Sequence, residues 1–273
     1  MTIAYNPYLK PPLGTTINKA IAKQLCLSSL WLENEGAGNS ISDLSGNNPV
    51  GVFVGNPVWK VDNQGYTIDF SDDAINIGGN IYDRCASELT IIVKLKWDGV
   101  ANTYAMIIDK YPGVSIYKYP TLQESLCFYG KIGGTGYDVR WVSAKVVSGE
   151  EAVWALRLGN GFQECYKNGK LSDAALAGGP YAGNYDIGTG VNAYIGNSAS
   201  DMARDWSGLI SYMMIFNRAL TAFEIAHLYR EPFYMFRDSN EAAILGSYVT
   251  AGGISIPLVM QQMDQFNGGV MVA

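Results

Sequence analysis

The sequence predicts an all-β protein: two antiparallel sheets packed as a jelly-roll sandwich, closed by one short C-terminal helix. Three observations predict it. Short apolar runs recur along the chain, separated by turn residues. No alternation of strands with long helices, of the kind that builds parallel sheets, is visible. The 31 glycines and 18 tyrosines suit many turns and many pleated strands. One all-β domain accommodates the 273 residues.

Residues 1–16 carry Pro7, Pro11 and Pro12 among aromatics and read as an extended arm. Residues 17–25 suit a short helix. The whole of residues 1–26 is expected to act as an arm lying on a neighbouring subunit, since Tyr5, Tyr8 and Leu9 would otherwise be wet. Leu27 to Leu32 reads as the first core strand, and Asp43-Leu-Ser-Gly-Asn-Asn-Pro49 as turn chemistry. Strands follow at Tyr66–Phe70 and Ala74–Ile77. Leu89 to Trp97 alternates with period two: Leu89, Ile91, Val93, Leu95 and Trp97 are expected in the core, with Thr90, Ile92, Lys94 and Lys96 mostly in water. Tyr104–Asp109, Leu126–Gly130, Val139–Val147, Val153–Leu158 and Gln163–Lys167 continue the series. Asn168-Gly169 predicts a type I′ hairpin. Gly178 to Gly190 reads as a loop, followed by a strand at Ala193–Ile195.

Leu209 to Phe216 is apolar almost throughout, as in a strand covered on both faces. Thr221-Ala-Phe-Glu224 then forms a capping box, flanked by Leu220 and Ile225 at staple positions, and Pro232 stops the helix. Residues 237–273 lie beyond the body. Ile254-Ser-Ile-Pro-Leu-Val-Met260 is apolar, its Pro257 suits an edge or added strand, and Gly252-Gly253 and Gly268-Gly269 bracket it as hinges. This extension is expected to dock on a partner or a sister subunit.

The formal net charge is −6 with no basic run, which argues against nucleic acid. No run is long enough to span a bilayer. The start, MTIAYNPYLKPPLGTT, lacks the apolar stretch of an export signal. Cys26, Cys85, Cys127 and Cys165 are widely spaced and are expected to be free thiols.

Four segments, in order, carry a resemblance. Trp31-Leu-Glu-Asn-Glu-Gly-Ala-Gly-Asn39 with Asp43-Leu-Ser-Gly-Asn-Asn48, Tyr166-Lys-Asn-Gly-Lys170, Ala193-Tyr-Ile-Gly-Asn197, and Ser207-Gly-Leu-Ile through Asn217-Arg-Ala-Leu-Thr-Ala-Phe-Glu-Ile225 resemble laminin-G-like, concanavalin A-like domains over roughly residues 27–236. The resemblance implies the sandwich. It does not choose between lectin and enzyme, because this fold hosts both. Enzymes sharing the fold resemble one another through E-x-D-x-E or E-x-D-x-x-E strands, whose glutamates flank the scissile bond. That motif is absent here. Glu33 and Glu35 read instead as the polar rim of the opening segment. His227, the single histidine, reads as packed on the last helix.

No cofactor is expected. Calcium is the one ion the resemblance brings in, with Asp72 and Asp73 in one loop and Asp201 and Asp205 in another as candidate ligands. Trp59, Trp141, Trp206, Tyr181 and Tyr185 are the aromatics available for a sugar. Tyr181 and Tyr185 are the pair expected to be exposed, and they stand with Trp206 as the candidate ligand-binding residues. The proline-rich arm, the closing helix and the apolar tail together resemble structural proteins of tailed phages. That implies a non-catalytic virion component made in the host cytoplasm: a head decoration, fibre or tail adhesin. Its partners would be other virion subunits or itself, and a host-surface glycan. A carbohydrate-binding lectin is the alternative, with a polysaccharide hydrolase less favoured.

Overall fold

The computed structural model describes residues 6, 8–82, 85, 87–100, 104–119, 124–172, 176–186, 188, 190–198, 204–237, 248–251 and 254–257. In chain order these form α1 (Lys19–Leu25), β1 (Leu27–Trp31), β2 (Ser40–Ile41), β3 (Gly51–Val54), β4 (Val58–Val61), β5 (Tyr66–Phe70), β6 (Ala74–Gly78), β7 (Leu89–Trp97), β8 (Ala105–Asp109) and β9 (Ser115–Lys118). There follow β10 (Ser125–Ile132), β11 (Thr135–Lys145), β12 (Glu151–Gly159), β13 (Phe162–Lys167), β14 (Lys170–Leu171), β15 (Leu176–Ala177), β16 (Ala193–Ile195), β17 (Gly208–Phe216), α2 (Ala222–Arg230), a 3-10 turn (Tyr234–Phe236), β18 (Tyr248–Ala251) and β19 (Ile254–Pro257).

The first sheet runs β14-β13-β12-β7-β17-β5-β4, with β1 also paired to β17. The second runs β15-β11-β10-β9-β8-β16-β6-β3-β2. Their pairings are antiparallel throughout. The main core lies between them, where Phe70, Ile91, Val93 and Leu95 of one sheet meet Ile107, Ile116, Phe128 and Val139 of the other. Two antiparallel sheets over one core are the predicted sandwich.

The far face of β7 departs from expectation. Thr90, Ile92 and Lys94 are buried rather than wet. The cause is a further layer over the first sheet. Ile21 and Leu25 of α1, Ile225 and Leu228 of α2, and Phe233 pack on Ile92, Met214 and Phe216 as a second core. Lys94 and Thr90 beneath this layer are satisfied, as burial favours, while the buried Tyr212 hydroxyl has no hydrogen-bond partner among the described residues. The Lys94 ammonium pairs with Asp62 and Glu151 at 2.9 Å each. The Thr90 hydroxyl donates to the Arg218 carbonyl and accepts from the Leu220 N–H, both at 2.9 Å.

Local chemistry explains the helices. The predicted capping box holds: Thr221 Oγ1 accepts from the Glu224 N–H at 3.2 Å, and Glu224 Oε2 accepts from the Thr221 N–H at 2.8 Å. Leu220 and Ile225 are both buried beside it. At α1, Asn18 Oδ1 accepts from the Ala20 N–H, and the Asn18 N–H donates to the Met235 carbonyl at 2.7 Å, so the two ends of the body meet. Asn168 and Gly169 have φ of +52° and +74°, the pair of positive angles that a type I′ turn requires.

The N-terminal segment is held to the body at Lys10. Lys10 is buried, and its ammonium donates to the Ser211 carbonyl at 2.6 Å, to the Glu33 carbonyl at 3.4 Å and to the Tyr66 carbonyl. Lys10 therefore anchors this segment to its own sandwich. Tyr8 and Leu9 stay exposed; Tyr5 lies outside the described residues. Of the C-terminal extension, β18 and β19 form a hairpin in which Tyr248 faces Pro257 and Ala251 faces Ile254. The expected hinges at Gly252-Gly253 and Gly268-Gly269 lie outside the described residues. Among the described residues no helix is long and apolar enough to cross a membrane.

Candidate functional site

Both helices and the N-terminal segment cover the first sheet, and the outer face of the second stays open among the described residues. Strand alternation decides what that face presents. On β9, Ile116 goes to the core, while Ser115 and Tyr117, with Tyr119 just beyond, face outward. On β10, Phe128 goes inward, and Cys127 and Tyr129 outward. On β11, Val139 goes inward, and Asp138 and Arg140 outward. Register lines these up across four strands: Met106 opposite Tyr117, Tyr117 opposite Cys127, Cys127 opposite Arg140. The next row sets Ser115 and Asp138 on either side of Tyr129.

The result is an open cleft of about 490 Å³ lined by Tyr104, Tyr111, Tyr117, Tyr119 and Tyr129, with Met106, Asp109, Ser115, Asp138, Ser198 and Arg204. Tyr104 stands edge-on to Tyr117 at 5.6 Å and to Tyr119 at 5.7 Å, while Tyr111 and Tyr129 lie 5.5 Å apart. Edge-to-face rings of this kind hold one another in place. Gly136 makes room for Tyr129, since a Cβ there would stand 2.6 Å from the phenol oxygen.

The electrostatics suit binding. The Tyr117 hydroxyl donates to Asp138 Oδ1 at 2.5 Å, and burial followed by that bond raises its pKa. Burial and the neighbouring Tyr111 push Tyr129 up to about 12. Both phenols therefore keep their protons and act as donors. Burial pushes the Cys127 thiol up to about 12 against the pull of Arg140, so it is no nucleophile. Asp109 accepts from the Ser115 hydroxyl and from the Tyr111 N–H at 3.2 Å. A second cleft of equal volume lies between Tyr8, Lys94, Glu151 and Tyr229, but Lys94 and Glu151 are already bonded to each other there.

The aromatics singled out from sequence lie elsewhere. Tyr185 and Trp206 are buried, which corrects the expectation that they face a ligand. The Gln163 amide donates to the Tyr185 hydroxyl at 2.9 Å and fixes the Tyr181 backbone on either side, pulling the glycine-rich loop inward. Tyr181 is half-buried and stacks on Tyr137 with centroids 4.2 Å apart. Trp141 is buried, and Trp59 donates to the Gly38 carbonyl at 2.9 Å. His227 is packed between Phe223 and Tyr234, and burial lowers its pKa. Glu33 is another correction: it is buried beneath the N-terminal segment rather than on a rim, while Glu35 accepts from the Ser42 N–H at 2.8 Å.

Of the calcium candidates, Asp72, Asp73 and Asp205 lie among the described residues. Asp73 Oδ1 accepts from the Asn56 N–H at 2.7 Å, and Asp205 is buried, accepting from the Asp72 N–H at 3.4 Å. Asp201 lies outside the described residues. Among the described residues no group of three or more His, Cys, Asp or Glu could hold a metal, and calcium needs about six to eight oxygens. Cys26, Cys127 and Cys165 are free thiols, as expected.

The laminin-G family model described as the concanavalin A-like lectin/glucanases superfamily matches residues 69–226, more than half of the chain. The chain belongs to this superfamily. Its members' shared fold is also found by structure. Domain 4 of AbnA, a GH43 extracellular arabinanase from Geobacillus stearothermophilus in complex with arabinotriose, superposes with a TM-score of 0.53 at 17% identity, covering 74% of this chain and 97% of that one. The binding domain of botulinum neurotoxin DC in complex with SialylT gives 0.53 at 16%, covering 75% and 51%. Trypanosoma rangeli sialidase in complex with sialic acid gives 0.51 at 12%, covering 76% and 33%. This superfamily member thus spans about half of the neurotoxin domain and a third of the sialidase. At these identities the likeness is one of fold. No curated protein sequence matches the chain.

Proposed function

We propose that the protein is a non-catalytic carbohydrate-binding module whose glycan lies in the tyrosine cleft of the second sheet. The observation that carries this reading is the set of five tyrosines converging on one open face. Sugar rings present apolar C–H faces and polar rims, and a cleft of aromatic walls with a few placed polar groups meets both. Solved structures of like fold support it, since domain 4 of AbnA is in complex with arabinotriose and the neurotoxin binding domain with SialylT. Glycoside hydrolysis needs one carboxyl that donates a proton and another that attacks or activates water. The cleft's two carboxylates are instead held as acceptors by Tyr117 and Ser115.

The test is a titration of oligosaccharides followed by calorimetry, with reducing-end release measured alongside. Tyr119→Ala with Tyr129→Ala should weaken binding about tenfold or more, the loss expected of two aromatic contacts. An unchanged affinity in a variant that still melts normally would remove the cleft from the account, and reducing ends released by the wild type would remove the non-catalytic reading.

The place of this module in a tailed-phage virion, as head decoration, fibre or tail adhesin, is a second proposal. It rests on the sequence resemblance and on the C-terminal hairpin, which pairs only with itself among the described residues. Two-stranded hairpins are marginal alone, and this one supplies strand edges for another copy or a neighbouring subunit. Deleting residues 238–273 should lower the molar mass measured by light scattering. The same assembly in both forms would count against it.

A further inference from the structure

We propose that the glycan is anionic, carrying a carboxylate, and that Arg140 receives that carboxylate with Lys131 as a second cation on the same face. The proposal rests on the carbohydrate reading above and names the class of sugar within it.

The chain as a whole is acidic, at −6. The tyrosine face carries both signs: Asp109, Asp138 and Arg204 line the cleft, and Arg140 and Lys131 stand beside it. Arg140 has its guanidinium 4.8 Å from the Tyr119 ring centre, and Lys131 has its ammonium 5.7 Å from that of Tyr111. Three other arginines close onto glutamates: Arg157 on Glu164 at 2.8 Å, Arg218 on Glu224 at 2.6 Å and Arg237 on Glu231 at 2.8 Å, while Arg204 lies over Tyr104. Arg140 has no such partner among the described residues. Its cross-strand neighbour is the neutral Cys127, and its shielded Nε has no hydrogen-bond acceptor. The nearest carboxylate along its own strand face, Asp138, takes its hydrogen bond from Tyr117.

A guanidinium lying over an aromatic ring keeps its planar fork of donors for a partner outside the stack, and that fork matches a carboxylate with two parallel bonds. Tyrosine rings beside it would carry the sugar face. Two cations in an acidic protein suit one or two charges on a short saccharide. They do not suit a polyanion, which the overall charge would repel.

The experiment compares matched pairs of oligosaccharides on the full chain at low salt: digalacturonate against its methyl ester, and sialyllactose against lactose. A sulfated disaccharide serves as a third arm. At least one acid is expected to bind about tenfold or more tighter than its neutral partner, with the preference shrinking as salt rises. In Arg140→Gln that preference should fall to within about threefold, with the melting temperature held, and Arg140→Lys should restore part of it. Equal binding of acid and neutral forms overturns the anionic inference and leaves the carbohydrate reading standing. Tighter binding of the sulfated arm than of either carboxylate overturns the choice of carboxylate. A full preference in Arg140→Gln overturns the role of Arg140. Binding of no saccharide at all overturns the carbohydrate reading, and this inference with it.

Discussion

Gly208→Ala is expected to lose on the order of 4 kcal/mol of stability, the sum of a strained backbone and an overpacked junction. Gly208 opens β17, where it pairs with Phe70 of β5 on one side and with Trp97 of β7 on the other. Its φ is +129°, a region that L side chains rarely adopt. A Cβ there would fall on the Lys96 carbonyl oxygen and stand 3.1 Å from the Asp98 nitrogen, both backbone atoms that cannot swing aside. The first sheet would have to open between its two central strands. Urea denaturation of wild type and variant measures the loss. A difference below about 1 kcal/mol would mean that the junction relaxes where this packing says it cannot.

Glu33→Gln should stabilise the protein, by an amount that grows with pH. Glu33 sits just past β1 with both carboxyl oxygens buried and without a full hydrogen bond among the described residues. Burial raises its pKa well above the ordinary 4.5, while Lys10 and the Ile68 N–H oppose the shift. Lys10, Glu35 and Asp62 are the charged groups acting on it. The folded state therefore keeps a proton that the unfolded chain releases above 4.5. Stability from this group is fully present below that value and is lost as pH rises toward the folded value. Glutamine has no proton to lose. The advantage of the variant should thus be small at pH 4.5 and grow above it, with a slope of at most about 1.4 kcal/mol per pH unit. Lys10 acts in another window. Burial lowers its pKa to about 8, so its contribution changes only between there and 10.5, where stability rises with pH. Unfolding free energies at several pH values between 4.5 and 7.5 decide it. Parallel curves would mean that Glu33 is ionised in the fold and paired with Lys10.

Much of the architecture was legible because local chemistry sets it. The Thr221–Glu224 box, the Asn168-Gly169 turn and the core face of β7 stand as read. What covers each sheet was not legible. Lys94 reads as a solvent-facing lysine, yet Asp62 folds over it from 32 positions away. Lys10 reads as part of a loose arm, yet it bonds Ser211, 201 positions away. No window of sequence contains such contacts.

The same limit hid the cleft. Ser115-Ile-Tyr-Lys-Tyr119 does show tyrosines two positions apart, a signal that could have been used. Alternation says that these rings share a face, not that the face stays open. Tyr181 and Tyr185 misled for the converse reason: glycine-rich surroundings suggest exposure, but the side chain of Gln163 anchors their loop to the body.

The most direct test of the account is a nuclear magnetic resonance titration with an acidic oligosaccharide, followed through the tyrosine rings and backbone amides. The account predicts that the shifts concentrate on Tyr104, Tyr117, Tyr119, Tyr129 and Arg140, across β8 to β11. Shifts centred instead on the loop around Tyr181, or on the cleft beside Lys94 and Tyr229, would contradict it.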